Sequence, residues 1–270
     1  PVAYQGLLHP DGEVAVRRGA GGHLTVVSTR ATRTIEEIGA AAAGPWWFQV
    51  YVTVDRGLTD ALVERAAAAG ARALVLTGDT PYIARKARGG RPAALGSAST
   101  MTNFAPHLRA GADAARDTEQ NPAATLDDIG RLADRSGLPV LVKGVLRGDD
   151  ARRCLDAGAA GIVVSNHGGR QLDRAVAPAL ALPEVVAACG DAPVLVDGGV
   201  RSGPDVLTAL ALGARGVLVG RPFAWALATG GAAGVADLAA AFDDDLGHAL
   251  GLAGCPTVAA VTADLVTRAG

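Results

Sequence analysis

The chain has 270 residues, 49% of them hydrophobic and 19% charged, with a formal net charge of -2. That length supports one large core, better read as a single α/β barrel domain over 1–270 than as two small domains, and the near-neutral charge without a long Lys/Arg run argues against nucleic acid as the main partner. No uninterrupted apolar run reaches the roughly 18 residues of a membrane span, and no charged-then-apolar leader opens the chain.

In chain order, 1–6 reads as a loop, and His9-Pro10-Asp11-Gly12-Glu13 as a turn that starts a helix over 14–20. The apolar run 24–27 predicts the first strand, ending at Ser28 and Thr29. Thr34 and Glu37 have the spacing of a capping box and open the next helix. A strand over 47–52 places Gln49 and Tyr51 on one side. An amphipathic helix over 58–69 leads to a strand over 73–77, tipped by Thr77, Asp79 and Thr80. The stretch 81–125 shows no sustained period and far exceeds the usual loop of about 4–6 residues, so a lid or binding loop is expected there. Regularity then returns, with helices over 126–136, 149–157, 181–188 and 205–212 alternating with strands over 139–143, 161–165, 193–196 and 216–219. Two terminal helices follow over 223–229 and 238–252, the second with Asp243, Asp244 and Asp245 on its solvated face.

Strand-helix alternation with short connections predicts a parallel sheet, and strands apolar on both faces predict a TIM-type (β/α)8 barrel. Seven strands are legible where a closed barrel has eight, so the first strand is expected to precede Pro1. An open barrel would otherwise expose a strand edge.

Polar residues recur where strands end: Ser28, Gln49 with Tyr51, Thr77 with Asp79, Lys143, His167 with Arg170, Asp197 with Arg201, and Gly220 with Arg221. In a parallel barrel all these tips face one mouth, where barrel active sites lie. The stretch GIVVSNHGGRQLD (161–173) is the richest of them. Gly168 and Gly169 remove side chains beside the His167 imidazole, and Arg170 carries a planar fork suited to a carboxylate. A base beside a carboxylate clamp suggests proton abstraction from a small organic acid. The plainer alternative is a His bonded at a strand end and an Arg in a surface ion pair. The last two tips, DGGVRSG and GVLVGRP, combine glycines, a following helix N-terminus and an arginine, as a phosphate site requires. Ser28, Gln49, Thr77 and Lys143 between them offer hydroxyl, amide and cation contacts suited to a ring system with several heteroatoms, so flavin mononucleotide (FMN) would use the whole set.

SNHGGRQLD, VKGVL, DGGVRSG, ALALGARGVLVGRP, FQVYV, TGDTP and HPDGE together resemble the FMN-dependent 2-hydroxy acid oxidases and dehydrogenases of glycolate, lactate and mandelate type, and the resemblance covers nearly the whole chain in order. The opening PVAYQGLLHPDGE looks most like the bacterial mandelate and hydroxymandelate oxidases. The resemblance implies oxidation of a mandelate-like or lactate-like (S)-2-hydroxy acid to the 2-oxo acid, with His167 as base. The α-hydrogen would pass to flavin N5 as hydride, or the α-proton itself would go to His167. Oxygen or another acceptor would then take the electrons. By the same resemblance Asp79 pairs with His167, Arg170 holds the substrate carboxylate, and Tyr51 bonds the substrate. Lys143 lies near flavin N1 and O2, Ser28, Gln49 and Thr77 contact the ring, and Asp197 meets the ribityl chain. Gly199, Arg201, Gly220 and Arg221 hold the phosphate, with Ala3, Ser165 and His167 also at the cofactor. A homotetramer is implied as well.

Two departures stand out. The family's second carboxylate-binding Arg aligns with Lys86, flanked by Arg85 and Arg88, and Lys lacks the bidentate fork. Family members also carry further residues before the position of Pro1, which keeps open a truncated flavin-binding protein without turnover. Cys154, Cys189 and Cys255 form neither a metal motif nor a disulfide framework and suit a reducing compartment, so a cytoplasmic location is expected. His9, His23, His107 and His248 lack metal-ligand spacing and read as polar surface or capping groups, while Trp46 and Trp47 read as packing.

Overall fold

The computed structural model describes residues 1–42, 44–82, 84 and 101–267. Seven strands form one sheet: β1 (Thr25–Ser28), β2 (Trp46–Val50), β3 (Leu74–Thr77), β4 (Val140–Val145), β5 (Gly161–Val164), β6 (Val194–Asp197) and β7 (Gly216–Leu218). Each strand pairs in parallel with the next, in the order β1 to β7. Helix α1 (Gly12–Gly19) precedes β1; between the strands lie α2 (Ile35–Ala40), α3 (Arg56–Ala68), α4 (Ala114–Asp117), α5 (Asp127–Ser136), α6 (Gly148–Asp156), α7 (Pro178–Cys189) and α8 (Gly203–Ala211), and α9 (Arg221–Leu252) follows β7.

The period of two along each strand sorts its side chains into an outer and an inner set. Phe48, Leu74, Leu76, Val140, Val142, Ile162, Val164, Val194 and Val196 face outward and pack with helix residues such as Leu62, Ile129, Leu132 and Leu182. Facing inward, Ala73, Val75, Leu141, Val163 and Leu195 meet Val26, Trp47 and Leu218, a cluster that draws residues from β1 through β7 together. The sheet therefore curls around its inner face. One step of two toward the C-terminal end, the same inner face turns polar: Val26 is followed by Ser28, Trp47 by Gln49, Val75 by Thr77, Leu141 by Lys143, Val163 by Ser165 and Leu195 by Asp197. An apolar floor thus carries a polar layer at the mouth.

β1 and β7 do not pair with each other. A cavity of 460 Å3 lies between them, lined by Thr25 and Val26 on one side and Gly216, Val217 and Leu218 on the other. The barrel is open at this seam.

Local signals behave largely as their chemistry dictates. Thr34 and Glu37 form the expected capping box, and Ser202 with Asp205 forms a second one at α8. Of the expected lid over 81–125, residues 83 and 85–100 lie outside the described residues, and the described part holds regular structure. Among its described residues are a 3-10 turn (Ala105–His107), helix α4, and a bridge between Thr53 and Gln120, with Phe104 buried. The two expected terminal helices are one, α9, broken only at Gly231, where φ is +57° and a Cβ would meet His9 Nε2 at 2.8 Å. By length and mean hydropathy (1.3) α9 would pass for a membrane span, although its apolarity is spread over small residues and forms no uninterrupted apolar run. It packs on α1 and α8 in the outer layer. The acidic run at 243–245 is not simply solvated: Asp243 pairs with His23 at 3.0 Å, and Asp245 accepts from Gly203 N at the start of α8.

Candidate active site

The polar layer is wired strand to strand. Ser28 Oγ donates to Gln49 Oε1 (3.2 Å), and Gln49 Nε2 donates to Thr77 Oγ1 (3.0 Å), which joins β1, β2 and β3. The Gln49 amide is fixed at both ends, so its orientation follows from the bonds it makes. Lys143 Nζ bonds Ser165 Oγ (2.8 Å) and Asp197 Oδ2 (2.9 Å), which joins β4, β5 and β6. A buried ammonium is tolerated here because a carboxylate and a hydroxyl accept its hydrogen bonds. Asp197 Oδ1 is buried and has no partner.

His167 sits three residues past β5 in the left-handed region (φ +58°), which few non-glycine residues adopt. Its N–H donates to Ser165 Oγ (3.0 Å), so one hydroxyl positions both Lys143 and the His167 backbone. Its Nδ1 lies 3.1 Å from Asp79 Oδ1. With a carboxylate there, a neutral imidazole carries its proton on Nδ1 and keeps Nε2 free to accept another. Asp79 reaches this position because β4 bulges at Gly144, where the register to β5 shifts. A Cβ on Gly144 would lie 2.6 Å from both Cβ and Cγ of Asp79. Gly78 N donates to Lys143 O (2.8 Å), holding the β3 tip against this bulge.

Tyr51, just past β2, is largely buried, and its phenol is pushed up to about 12. Burial is the main cause and the Asp79 charge adds to it, while Arg30 and Arg170 pull the other way. Tyr51 is therefore a neutral donor at any ordinary pH. Arg170 is exposed at the mouth, and no carboxylate pairs with it among the described residues.

At the β6–β7 end, Gly198 and Gly199 both have positive φ (+89° and +87°), and a Cβ on Gly199 would meet nothing within 4 Å. Arg201 lies over the Trp225 ring (5.8 Å to its centroid), and Arg221 leans on Gly168 O (3.5 Å). Two cations and open glycine backbone thus flank the seam where α8 and α9 begin.

Lys86, Arg85 and Arg88 lie outside the described residues. Among the described residues no group of three His, Cys, Asp or Glu could hold a metal ion. Sequence reasoning missed four contributors. Thr29 Oγ1 donates to Gln49 O (2.5 Å) and accepts from Tyr51 N. Buried Glu13 accepts from Gln5 N, Thr32 N, Thr32 Oγ1 and Arg33 N, tying together two mouth loops. Gly144 and Arg30 complete the set. Glu13 alone had a usable signal, in HPDGE; the others depend on neighbours distant in sequence.

The sequence pattern of the family described as FMN-dependent dehydrogenase matches residues 1–268. The chain belongs to that family. It is 46% identical over 284 residues to the L-lactate oxidase of Nostoc sp. (strain PCC 7120), covering 94% of this chain and 74% of that one. It is 47% identical over 271 residues to the 4-hydroxymandelate oxidase of Amycolatopsis orientalis, covering 96% and 76%. A solved mandelate oxidase structure with (S)-4-hydroxymandelic acid superposes with a TM-score of 0.88 at 46% identity, covering 97% of this chain and 77% of that one. The chain spans about three quarters of the length of these relatives.

The mouth fits the cofactor that gives the FMN-dependent dehydrogenases their name. Asp197 Oδ1 is a buried acceptor in want of a donor, which a sugar-alcohol hydroxyl supplies. The Gln49 and Lys143 networks present an amide, hydroxyls and a cation on the inner face, and the glycine-rich end offers backbone and guanidinium to a phosphate.

Proposed function

We propose that this member of the FMN-dependent dehydrogenases binds FMN at the barrel mouth and oxidises a lactate-like or mandelate-like (S)-2-hydroxy acid to the 2-oxo acid. The observation that carries this reading is the His167–Asp79 pair at 3.1 Å, with an exposed Arg170 three residues on that has no carboxylate partner among the described residues. Bound FMN would supply the acceptor for the α-hydrogen, which leaves the substrate as hydride with its two electrons.

The chain's own residues do the rest. Arg170 takes the substrate carboxylate with a planar fork, which fixes the α-carbon relative to the imidazole. Tyr51, held neutral by burial, donates to a substrate oxygen. His167 Nε2 takes the hydroxyl proton, and Asp79 stabilises the imidazolium that results. Lys143 places a positive charge under the ring site, where negative charge develops on reduction. Ser28, Gln49 and Thr77 orient the ring, Ser165 orients Lys143 and His167, and the Ala3 backbone passes the ring edge. Asp197 meets the ribityl chain, with Gly199, Arg201, Gly220 and Arg221 at the phosphate. Electrons leave to oxygen or another acceptor, in a cytoplasmic homo-oligomer. L-lactate oxidase and 4-hydroxymandelate oxidase relatives support this substrate class.

The test is anaerobic mixing of the FMN-loaded chain with (S)-lactate, glycolate and (S)-mandelate, followed at the flavin band. Bleaching by at least one acid, slowed by a factor of ~100 or more in His167→Ala, is the expected result. A flavin complex that none of the acids reduces, or a His167→Ala chain reduced at the parent rate, refutes the reading.

A further inference from the structure

Several arginines packed around this barrel are spoken for. Arg56 pairs with Asp128, Arg65 with Glu36, and Arg131 with Asp60. Arg17, 1% exposed, spends its guanidinium on Thr25 Oγ1 and the carbonyls of Ile38, Ala42, Gly44 and Pro45. Arg30 differs. It lies two residues past β1, at the mouth, with its N–H donating to Ser28 Oγ (3.1 Å) and its carbonyl accepting from Tyr4 N (3.0 Å). Its guanidinium stacks 4.9 Å above the ring of Phe104, itself 1% exposed, and donates to the Thr118 carbonyl. A ring face and a neutral carbonyl fix the plane of the group without cancelling its charge. Among the described residues no carboxylate pairs with Arg30, and the bond to Thr118 is the one hydrogen bond its guanidinium makes.

Its direction is informative. Arg30 and Arg170 both lower the cost of ionising Tyr51, so both charges reach the same phenol. They come from different walls: Arg30 follows β1 and Arg170 follows β5, with β2, β3 and β4 between them. In a sheet curled about its inner face, that separation sets the two cations on opposite sides of the mouth.

We infer that Arg30 is a second anion-binding pole of the active site, and that the preferred substrate is a 2-hydroxy acid bearing a second carboxylate at its far end. The inference rests on the 2-hydroxy acid reading above and deepens it. One carboxylate meets Arg170, the reacting carbon lies beside His167 and Tyr51, and the second carboxylate meets the prepositioned Arg30. A monocarboxylate leaves Arg30 unmatched. Preorganisation of the guanidinium by Phe104 and Thr118 means little ordering is needed when the second anion arrives.

The test compares binding of product-like acids, which requires no turnover. The FMN-loaded chain is titrated calorimetrically with 2-oxoglutarate and with pyruvate, in the unmodified form and in Arg30→Gln and Arg30→Lys. The dicarboxylate is expected to bind about tenfold tighter or more. Arg30→Gln should bring the ratio to within about twofold, and Arg30→Lys, which keeps the charge but not the stacked plane, should hold an intermediate ratio. A ratio near one in the unmodified chain, or a preference that survives in Arg30→Gln, overturns the inference. Anaerobic bleaching is read separately. Preference for 2-oxoglutarate through Arg30 in a chain that no 2-hydroxy acid reduces would sink the proposed reaction and leave this pole standing. Bleaching with no dicarboxylate preference in binding would do the reverse.

Discussion

Replacing Gly144 with Ala adds one methyl group and should disable the base from a distance. The new Cβ would sit 2.6 Å from Cβ and Cγ of Asp79, where ordinary contact begins at 3.4 Å, so the carboxylate has to retreat by about 0.8 Å. Gly144 also has φ +104°, a conformation that costs an alanine roughly 1–2 kcal/mol, so the bulge resists moving and Asp79 gives way. The His167–Asp79 contact starts at 3.1 Å, and a retreat of that size away from the ring takes it beyond hydrogen-bond range. A hydrogen bond to a charged group contributes about 1.5–3 kcal/mol, which converts to a loss of about 10- to 150-fold in the rate of anaerobic flavin reduction. Stopped-flow absorbance measures that rate, and FMN affinity, measured alongside, should change much less. The same measurement in an Asp79→Asn background separates this mechanism from general damage. If Gly144 acts through Asp79, the second substitution adds little to the first; independent effects multiply. Reduction of Gly144→Ala at the parent rate, or full multiplication in the double variant, refutes the reasoning.

Other perturbations follow from the same geometry. Because the Tyr51 phenol is raised to about 12, mainly by burial, from an unfolded value near 10, its contribution to stability is complete below about pH 10 and is lost as pH rises through 12. After allowance for partial exposure that is about 1–2 kcal/mol, and denaturant titrations from pH 9 to 12 should show a steeper decline for the parent than for Tyr51→Phe. Glu13→Gln turns an amide NH2 toward donors that now share the carboxylate, so thermal unfolding should reveal a loss of about 2 kcal/mol; an unchanged midpoint would mean that the two mouth loops do not depend on Glu13. Lys143→Met strands Asp197 without its ion pair and removes the cation beneath the ring site, so fluorescence titration should give FMN affinity lower by about tenfold or more.

Much of this fold was legible because each strand carries two messages at once. Leu195 and Asp197, or Val75 and Thr77, state a period of two and a change of polarity within three residues, which locates both the inner face and the mouth. The strand boundaries agree to within a residue or two, and the polar tips converge because parallel pairing without crossovers aligns their C-terminal ends. His167 with Asp79 was legible only through the family resemblance, since 88 positions separate them and neither carries a local signal for the other. The terminal helix was misread for a different reason. The gap left between the two expected helices holds glycines at 230, 231 and 234, and tertiary packing on α1 and α8 overrides weak helix propensity at all of them except Gly231, whose φ admits no helix.

The unread part of the site shares one property: its function is defined by what a residue does not touch. Gly144 matters through the Cβ it lacks, and Arg30 through having no carboxylate paired with it among the described residues. Composition and periodicity record what is present, so neither vacancy leaves a trace in them. Both sit within two residues of a polar strand tip, beside Lys143 and Ser28. That adjacency has a physical basis, because the tip fixes where the cofactor and substrate lie while its neighbours decide how closely other groups approach. On the proposed function, the tip residues would account for the chemistry shared across the FMN-dependent dehydrogenases. Discrimination among 2-hydroxy acids would then fall to positions such as Arg30, whose backbone is pinned by Ser28 and Tyr4. On this reasoning, exchanging residue 30 should move substrate preference far more than it moves FMN affinity, whereas exchanging Lys143 should do the opposite.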